Sequence, residues 1–327
     1  MALRMRAGCR GGIIGRMTPP LVAGIPAALP RRAFDPLPDG TAIVPVDPAT
    51  VAEADLGRIE FLVPRGPGFA GLLARMPALR VVQTLSAGVD WLAGRVPDGV
   101  RVHNAAGVYD VPVAEWTVGA ILASLRRFPE SRDAQQDREW RDTHPEELLD
   151  RRVTILGYGS IGRAVEDRLR SFGPRLTRVA RSARDGVRGF GDLDAVLASS
   201  DVLIVLLPLT RETDRLLDRR RLALLPDGAL VVNAGRGRLI DTASLRDELA
   251  VGRLRAALDV VDPEPLPADD PLWSAPGLLL TPHVGGDTTA AEGRAVRLAG
   301  DQLRRYASGV PLLNPVAPYL LEPAAVA

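Results

Sequence analysis

The chain has 327 residues, 46% hydrophobic and 25% charged, a globular composition with length for two domains rather than one. Forty-one basic residues against 40 acidic ones leave a net charge of +1, which gives no electrostatic footprint for nucleic acid or an anionic membrane. Every basic side chain is Arg, so Schiff-base, pyridoxal-phosphate, phosphate-loop and kinase-type lysine chemistry is excluded.

Residues 1–17, MALRMRAGCRGGIIGRM, carry Arg but no apolar stretch of seven, so they do not read as a secretory signal. Met17 is an alternative first residue. The longest apolar run, Val202 to Leu209, is broken by Pro208 and too short to span a bilayer. A cytoplasmic protein is expected. One Cys (Cys9) rules out an internal disulfide framework, and with three His (His103, His144, His283) no metal centre is expected.

From Pro20 to Asn104 the signals are modest: strands at Thr41–Pro45, Glu60–Val63, Val81–Leu85 and Val100–His103, and a short helix at Phe69–Met76. A long amphipathic helix follows from Pro112 to Arg127, with its proline in the first turn. From about Val153 to Pro282 apolar runs alternate with amphipathic ones, the pattern of strand–helix–strand units around a parallel sheet. Strands are expected at Val153–Leu156, Leu176–Ala180, Val202–Leu207, Ala229–Asn233, Ala256–Val260 and Leu278–Thr281. Most are apolar on both faces, as doubly covered strands should be. Helices fill the gaps at Ile161–Phe172, Leu193–Ala198, Arg219–Leu225 and Thr242–Gly252, with Asp241 and Thr242 as caps and Gly252 as a stop. Ala290–Ala307 forms a last long helix.

This order predicts a discontinuous arrangement. Residues 18–111 plus 290–327 form a smaller flavodoxin-like α/β substrate domain, and residues 112–289 form an inserted dinucleotide-binding domain. The two long helices act as hinge, with a cleft between the domains for a small substrate.

Gly157-Tyr158-Gly159-Ser160-Ile161-Gly162 follows one of these strands and opens a helix. The spacing has a mechanism: a tight turn, a close backbone approach to a pyrophosphate, close helix–strand packing, and helix N–H groups facing the phosphates. In this context it marks the inserted domain as a doubly wound Rossmann sheet. At the end of the next strand, the acid that would bond the ribose hydroxyls of NAD is replaced by Ala180, with Arg181, Ser182 and Arg184 just beyond. Arg grips a 2′-phosphate where an acid repels it, so NADP(H) is preferred and NAD(H) is possible. The other reading is that these are surface arginines in an Arg-rich chain.

Six short motifs then occur in order: Ser86-Ala87-Gly88-Val89-Asp90, the glycine turn, Asn233-Ala234-Gly235-Arg236-Gly237, Ala257-Leu258-Asp259-Val260, Glu264-Pro265-Leu266, and Thr281-Pro282-His283-Val284-Gly285-Gly286. With them the chain resembles the D-isomer-specific 2-hydroxyacid dehydrogenase family from about Val81 to Asn314. The resemblance implies a reductase of a small 2-keto acid such as glyoxylate or hydroxypyruvate. It assigns Arg236 to the substrate's carboxylate and carbonyl, His283 to proton transfer, and Glu264 to its side. A neighbouring carboxylate favours imidazolium and keeps His a competent acid near neutrality. The backbone N–H groups of Ala87, Gly88 and Val89 would take the substrate carboxylate, and Asp259 the nicotinamide carboxamide. Pro208 and Ala234, just past two strands of the nucleotide sheet, are further expected cofactor contacts.

His103 and His144 match no motif and read as structural or surface. Tyr109 is expected near the cleft. Trp140 is read either as a pocket residue supplied by a partner subunit or as a packed interface residue. A homodimer through the central domain is expected, with residues 126–147 near the interface. Oxidation of phosphite or another non-hydroxyacid, and a dinucleotide-sensing scaffold acting through protein partners, stay open as alternatives.

Overall fold

Short runs of Val, Ile, Leu and Ala build two separate parallel sheets in the computed structural model, which describes residues 20–37 and 39–324. Cys9 and Met17 lie outside the described residues. The first sheet takes β1 (Val22–Pro26), β2 (Ala42–Val46), β3 (Phe61–Leu62), β4 (Val81–Gln83) and β5 (Arg101–His103) in the order β2-β1-β3-β4-β5, the flavodoxin-like arrangement. The second takes β6 (Arg152–Leu156), β7 (Arg175–Val179), β8 (Val202–Val205), β9 (Leu230–Asn233), β10 (Arg255–Leu258) and β11 (Leu278–Leu280) in the order β11-β10-β9-β8-β6-β7.

The helices are α1 (Glu53–Leu56), α2 (Asp110–Leu125), α3 (Phe128–Asp137), α4 (Ser160–Leu169), α5 (Leu193–Leu197), α6 (Arg219–Leu224), α7 (Thr242–Ala250) and α8 (Thr289–Ala307). Every residue of β8 and β9 is buried, because helices cover both faces of that sheet. Leu197, Leu222, Leu245 and Leu249 of α5–α7 pack on one face. Ile121 and Leu125 of α2, with Val165 and Leu169 of α4, pack on the other. Although α8 follows the second sheet in sequence, it returns to the first, where Ala295, Val296, Ala299 and Leu303 cover Ala23, Ile25, Phe61 and Val81. Strand order reverses between β6 and its neighbour β8, which opens a crevice beyond their carboxyl ends where a ligand fits.

Where sequence and structure part, the reasons are local. Strand β1 escapes a propensity reading because Gly24 and Pro26 look like breakers. A Cβ on Gly24 would stand 2.9 Å from Ile59 Cδ1, so this glycine serves close packing inside the sheet. The helix expected at Phe69–Met76 is a 3₁₀ segment, Pro67–Arg75, in a stretch where Gly68 and Gly71 weaken α propensity. Asp241 alone caps α7, accepting from the Ser244 N–H at 2.7 Å. Thr242 is instead the first helical residue. Helix α3, not foreseen, follows Arg127 in a left-handed turn (φ 56°).

Candidate active site

The carboxyl ends of the second sheet and the Ser86–Asp90 turn of the first face each other across a cleft of about 630 Å³. It is lined by twelve of the expected residues: Ala87, Gly88, Val89, Gly157, Gly159, Ser160, Ile161, Pro208, Ala234, Arg236, Asp259 and His283. Tyr109 lines it as well.

At the nucleotide side, Gly157 has φ +110° and a Cβ there would stand 2.5 Å from the Leu206 carbonyl carbon, so only glycine fits. A Cβ on Gly162 would meet the Gly157 carbonyl oxygen at 2.7 Å, which lets α4 lie close against β6. By contrast Gly159 has open space where its Cβ would be. The bare backbone and the free N–H groups opening α4 therefore suit a pyrophosphate. Ser160 donates its hydroxyl to Asp110 Oδ1 at 3.0 Å.

The Tyr158 side chain turns away from the cleft, a correction to its expected place among cofactor contacts. Its hydroxyl donates to Glu166 at 2.6 Å, and the buried Glu166 also accepts from Arg170 and Arg178. Hydrogen bonds from Arg178, outweighing burial, pull the Glu166 carboxyl down to about 2. Arg184 donates to the Tyr158 carbonyl at 2.6 Å, so it steadies the glycine turn. Arg181 pairs through Nε with Glu212 at 2.8 Å, leaving its two terminal nitrogens for a phosphate. Ser182 is exposed beside it.

On the chemical side, Arg236 Nε donates to Asp90 Oδ1 at 2.9 Å and Nη1 to the Gly235 carbonyl at 2.7 Å. Its second terminal nitrogen lies against Gly88. The Ala87 and Gly88 carbonyls are held by Asn104 Nδ2 and the Ser86 hydroxyl, each at 2.7 Å. Among the described residues the N–H groups of Ala87, Gly88 and Val89 have no acceptor. Three unsatisfied donors beside a guanidinium form a receptor for a carboxylate.

His283 Nδ1 meets Glu264 Oε2 at 2.8 Å, and Glu264 Oε1 accepts the Val261 N–H at 3.1 Å. The hydrogen bond to Glu264 raises the His283 pKa above 6.5 despite burial. Burial pushes the Glu264 carboxyl up, but the bond to His283 and its charge prevail and hold it below 4.5. With Nδ1 on the carboxylate, Nε2 is left for a substrate oxygen. His283 has φ 56°, a strained conformation held by its surroundings.

Those surroundings are Asp259. Its Oδ1 accepts from the Thr281 hydroxyl at 2.5 Å and the Val284 N–H at 2.9 Å, its Oδ2 from the Gly285 N–H at 2.8 Å, and its carbonyl from the His283 N–H at 2.7 Å. Trp116 of α2 donates to the Thr281 hydroxyl at 3.0 Å. Asp259 thus anchors the His283 turn, a task its motif did not reveal. Asp90 was also missed: it lies in a recognised run, but only the fold brings it to Arg236. Leu320, which reaches the cleft from the chain's far end, carries no sequence signal.

His103 is buried, with Nδ1 on the Leu313 carbonyl at 2.7 Å, and His144 is exposed, as expected of both. No group of His, Cys, Asp and Glu among the described residues is arranged to hold a metal. No helix among them is long and apolar enough to cross a membrane.

The family model described as "D-isomer specific 2-hydroxyacid dehydrogenase, NAD binding domain" matches residues 118–285. A glyoxylate reductase of Thermofilum pendens is 35% identical over 252 residues, 72% of this chain and 74% of that protein. A glyoxylate/hydroxypyruvate reductase B of Pectobacterium atrosepticum is 34% identical over 265 residues, 76% of this chain and 82% of its own. Among solved structures, a D-isomer specific 2-hydroxyacid dehydrogenase from Xanthobacter autotrophicus Py2 in complex with NADPH and MES superposes with a TM-score of 0.78 at 31% identity, covering 92% of this chain and 99% of its own. An NADPH-dependent glyoxylate/hydroxypyruvate reductase from Sinorhizobium meliloti in complex with NADP and malonate gives 0.79 at 27% identity, covering 94% and 100%.

Proposed function

The chain belongs to the D-isomer specific 2-hydroxyacid dehydrogenase family, and on that premise we propose how its cleft does the chemistry of a reductase. The protein is an oxidoreductase acting on CH–OH groups, moving a hydride between NAD(P)H, with NADPH preferred, and a small 2-keto acid such as glyoxylate or hydroxypyruvate. The bound dinucleotide supplies the hydride. The bare backbone of Gly157–Gly162, Pro208 and Ala234 would hold it, and Arg181 with Ser182 would take a 2′-phosphate.

The N–H groups of Ala87, Gly88 and Val89 take the substrate carboxylate. Arg236, held by Asp90, draws charge from the carbonyl oxygen as it turns to alkoxide. His283 gives that oxygen its proton from Nε2, and Glu264 keeps the ring charged and oriented until then. Asp259 holds the His283 turn and lines the cleft, where it would also bind the nicotinamide carboxamide. The domains are residues 18–111 plus 290–327 for the substrate and 112–289 for the dinucleotide.

A homodimer completes the reading. Trp140 is fully exposed, at 105% of its reference surface, on a stretch without regular structure that follows α3, and Phe128 and Leu149 are exposed nearby in sequence. Large apolar side chains left in water on one segment suit a partner's surface. A cytoplasmic location, where reduced dinucleotides are at hand, is part of the same reading.

The 2.8 Å contact between His283 and Glu264, beside Arg236 in one cleft, carries the reading. It is tested by following NADPH consumption with a panel of 2-keto acids. Turnover of glyoxylate or hydroxypyruvate that His283→Ala removes, with NADPH binding retained, is the expected result. No turnover of any of them by the wild type refutes it.

A further inference from the structure

The C-terminal segment crosses from the first sheet to the second. It is tied to the first by the Val316 N–H on the Val102 carbonyl and by the Gly94 N–H on the Leu321 carbonyl, each at 2.9 Å. Between these ties a single 3₁₀ turn, Pro318–Leu321, sends Leu320 to the cleft. The next side chain back, Tyr319, lies under Arg181, with the guanidinium carbon 4.6 Å from the ring centroid. Arg181 sits just beyond β7, in the other sheet.

Two sides of this guanidinium have partners. One face rests on Tyr319, and Nε is on Glu212. The edge carrying Nη1 and Nη2, together with the opposite face, faces no partner among the described residues. Without the ring and the carboxylate, a half-exposed arginine would sample many rotamers. With them its plane is set before any ligand arrives, and its free fork matches the geometry of a phosphate.

We infer that Tyr319 is a positioning residue for NADP(H): supplied by the substrate-side unit, it holds Arg181 flat so that the guanidinium fork meets the 2′-phosphate. The inference rests on the NADPH reading above and adds to it a residue from the far end of the chain. It follows that discrimination between the two dinucleotides depends on the tail staying docked, since the ring acts on the one group that tells them apart. The aromatic face is what Arg181 uses, so the phenolic hydroxyl is dispensable.

The test is calorimetric titration of the full chain with NADPH, NADH and 2′,5′-ADP. A cation–π contact at an exposed site implies that Tyr319→Ala weakens NADPH and 2′,5′-ADP about three- to fivefold and leaves NADH unchanged. Tyr319→Phe should bind all three as the wild type does. In an Arg181→Ala background, Tyr319→Ala should have no further effect. Equal weakening of both dinucleotides, no weakening of either, or an additive loss in the Arg181→Ala background overturns the inference. If Arg181→Ala erases NADPH preference while Tyr319→Ala leaves NADPH affinity unchanged, only the inference falls. A wild type that binds NADH as tightly as NADPH overturns the cofactor reading as well.

Discussion

Gly88 and Arg236 meet so closely that a Cβ on the glycine would stand 1.5 Å from the Arg236 terminal nitrogen. The Ser86–Asp90 turn and the Arg236 guanidinium are thus one assembled surface, drawn from two sheets and closed by Asp90. The guanidinium is the far end of a flexible side chain, so Gly88→Ala should leave the fold intact and push Arg236 aside. A displaced cation should lower kcat/KM for the keto acid by roughly 10²-fold, with NADPH affinity unchanged by titration. Undiminished kcat/KM would detach Arg236 from the reacting carbonyl.

As the proposed proton donor His283 must be charged for reduction, and the Glu264 hydrogen bond raises its pKa above 6.5. The reductive rate should therefore hold through neutrality and fall as pH climbs through that raised value, with the oxidative rate rising over the same range. The pair's contribution to stability is present between about 4.5 and 6.5, lost as pH rises through the raised His283 value and lost again as it falls through the depressed Glu264 value. Glu264→Gln should move the alkaline limb of the reductive profile to lower pH and cost on the order of tenfold in kcat above neutrality. A limb that stays in place would remove Glu264 from this role.

Asp259→Asn puts an amide where a carboxylate accepts two backbone N–H groups and a hydroxyl. At least one of those donors must lose its acceptor, at about 1–3 kcal/mol. Faster hydrogen exchange at Val284 and Gly285, lower thermal stability and a lower kcat are expected together. A fall in kcat without faster exchange would show that Asp259 acts on the cofactor rather than on the His283 turn.

Glu166, held at about 2 beneath Tyr158, gives a separate handle on stability. Its depressed pKa makes its contribution complete above 4.5 and lost as pH falls toward 2. Glu166→Gln, which leaves Arg178 short of its counter-ion, should cost about 3 kcal/mol at neutral pH. Denaturant titrations at several pH values should show that gap closing in acid. A gap independent of pH would mean the loss is one of packing alone.

Much of this was legible in the chain because its chemistry is written in short runs. The glycine turn announces itself by local pattern, Arg236, Glu264 and His283 are pointed to by the resemblance that six short motifs in order carry, and the βα alternation placed all six strands of the second sheet within a residue or two at most ends. What stayed hidden is contact across sequence. Asp90 and Arg236 are 146 positions apart, and nothing near either names the other. Asp259 was expected at the cofactor, and its motif says nothing of the three donors that bond its carboxylate oxygens and make it hold the His283 turn as well. Arg181 and Arg184 read alike, yet one faces a carboxylate and a ring while the other is spent on a backbone carbonyl. Strand β1 was lost to a glycine whose reason is a neighbour 35 residues on, Ile59.

The return of α8 to the first sheet has a consequence for biosynthesis. Ala23, Ile25, Phe61 and Val81 leave the ribosome early, but the helix that shields them emerges only after residue 288. Until residues 289–307 are made, this face lacks the helix that covers it in the folded chain. Chaperones that grip exposed aliphatic surface should hold the nascent chain until that helix arrives, and a stall before it should leave the first sheet aggregation-prone.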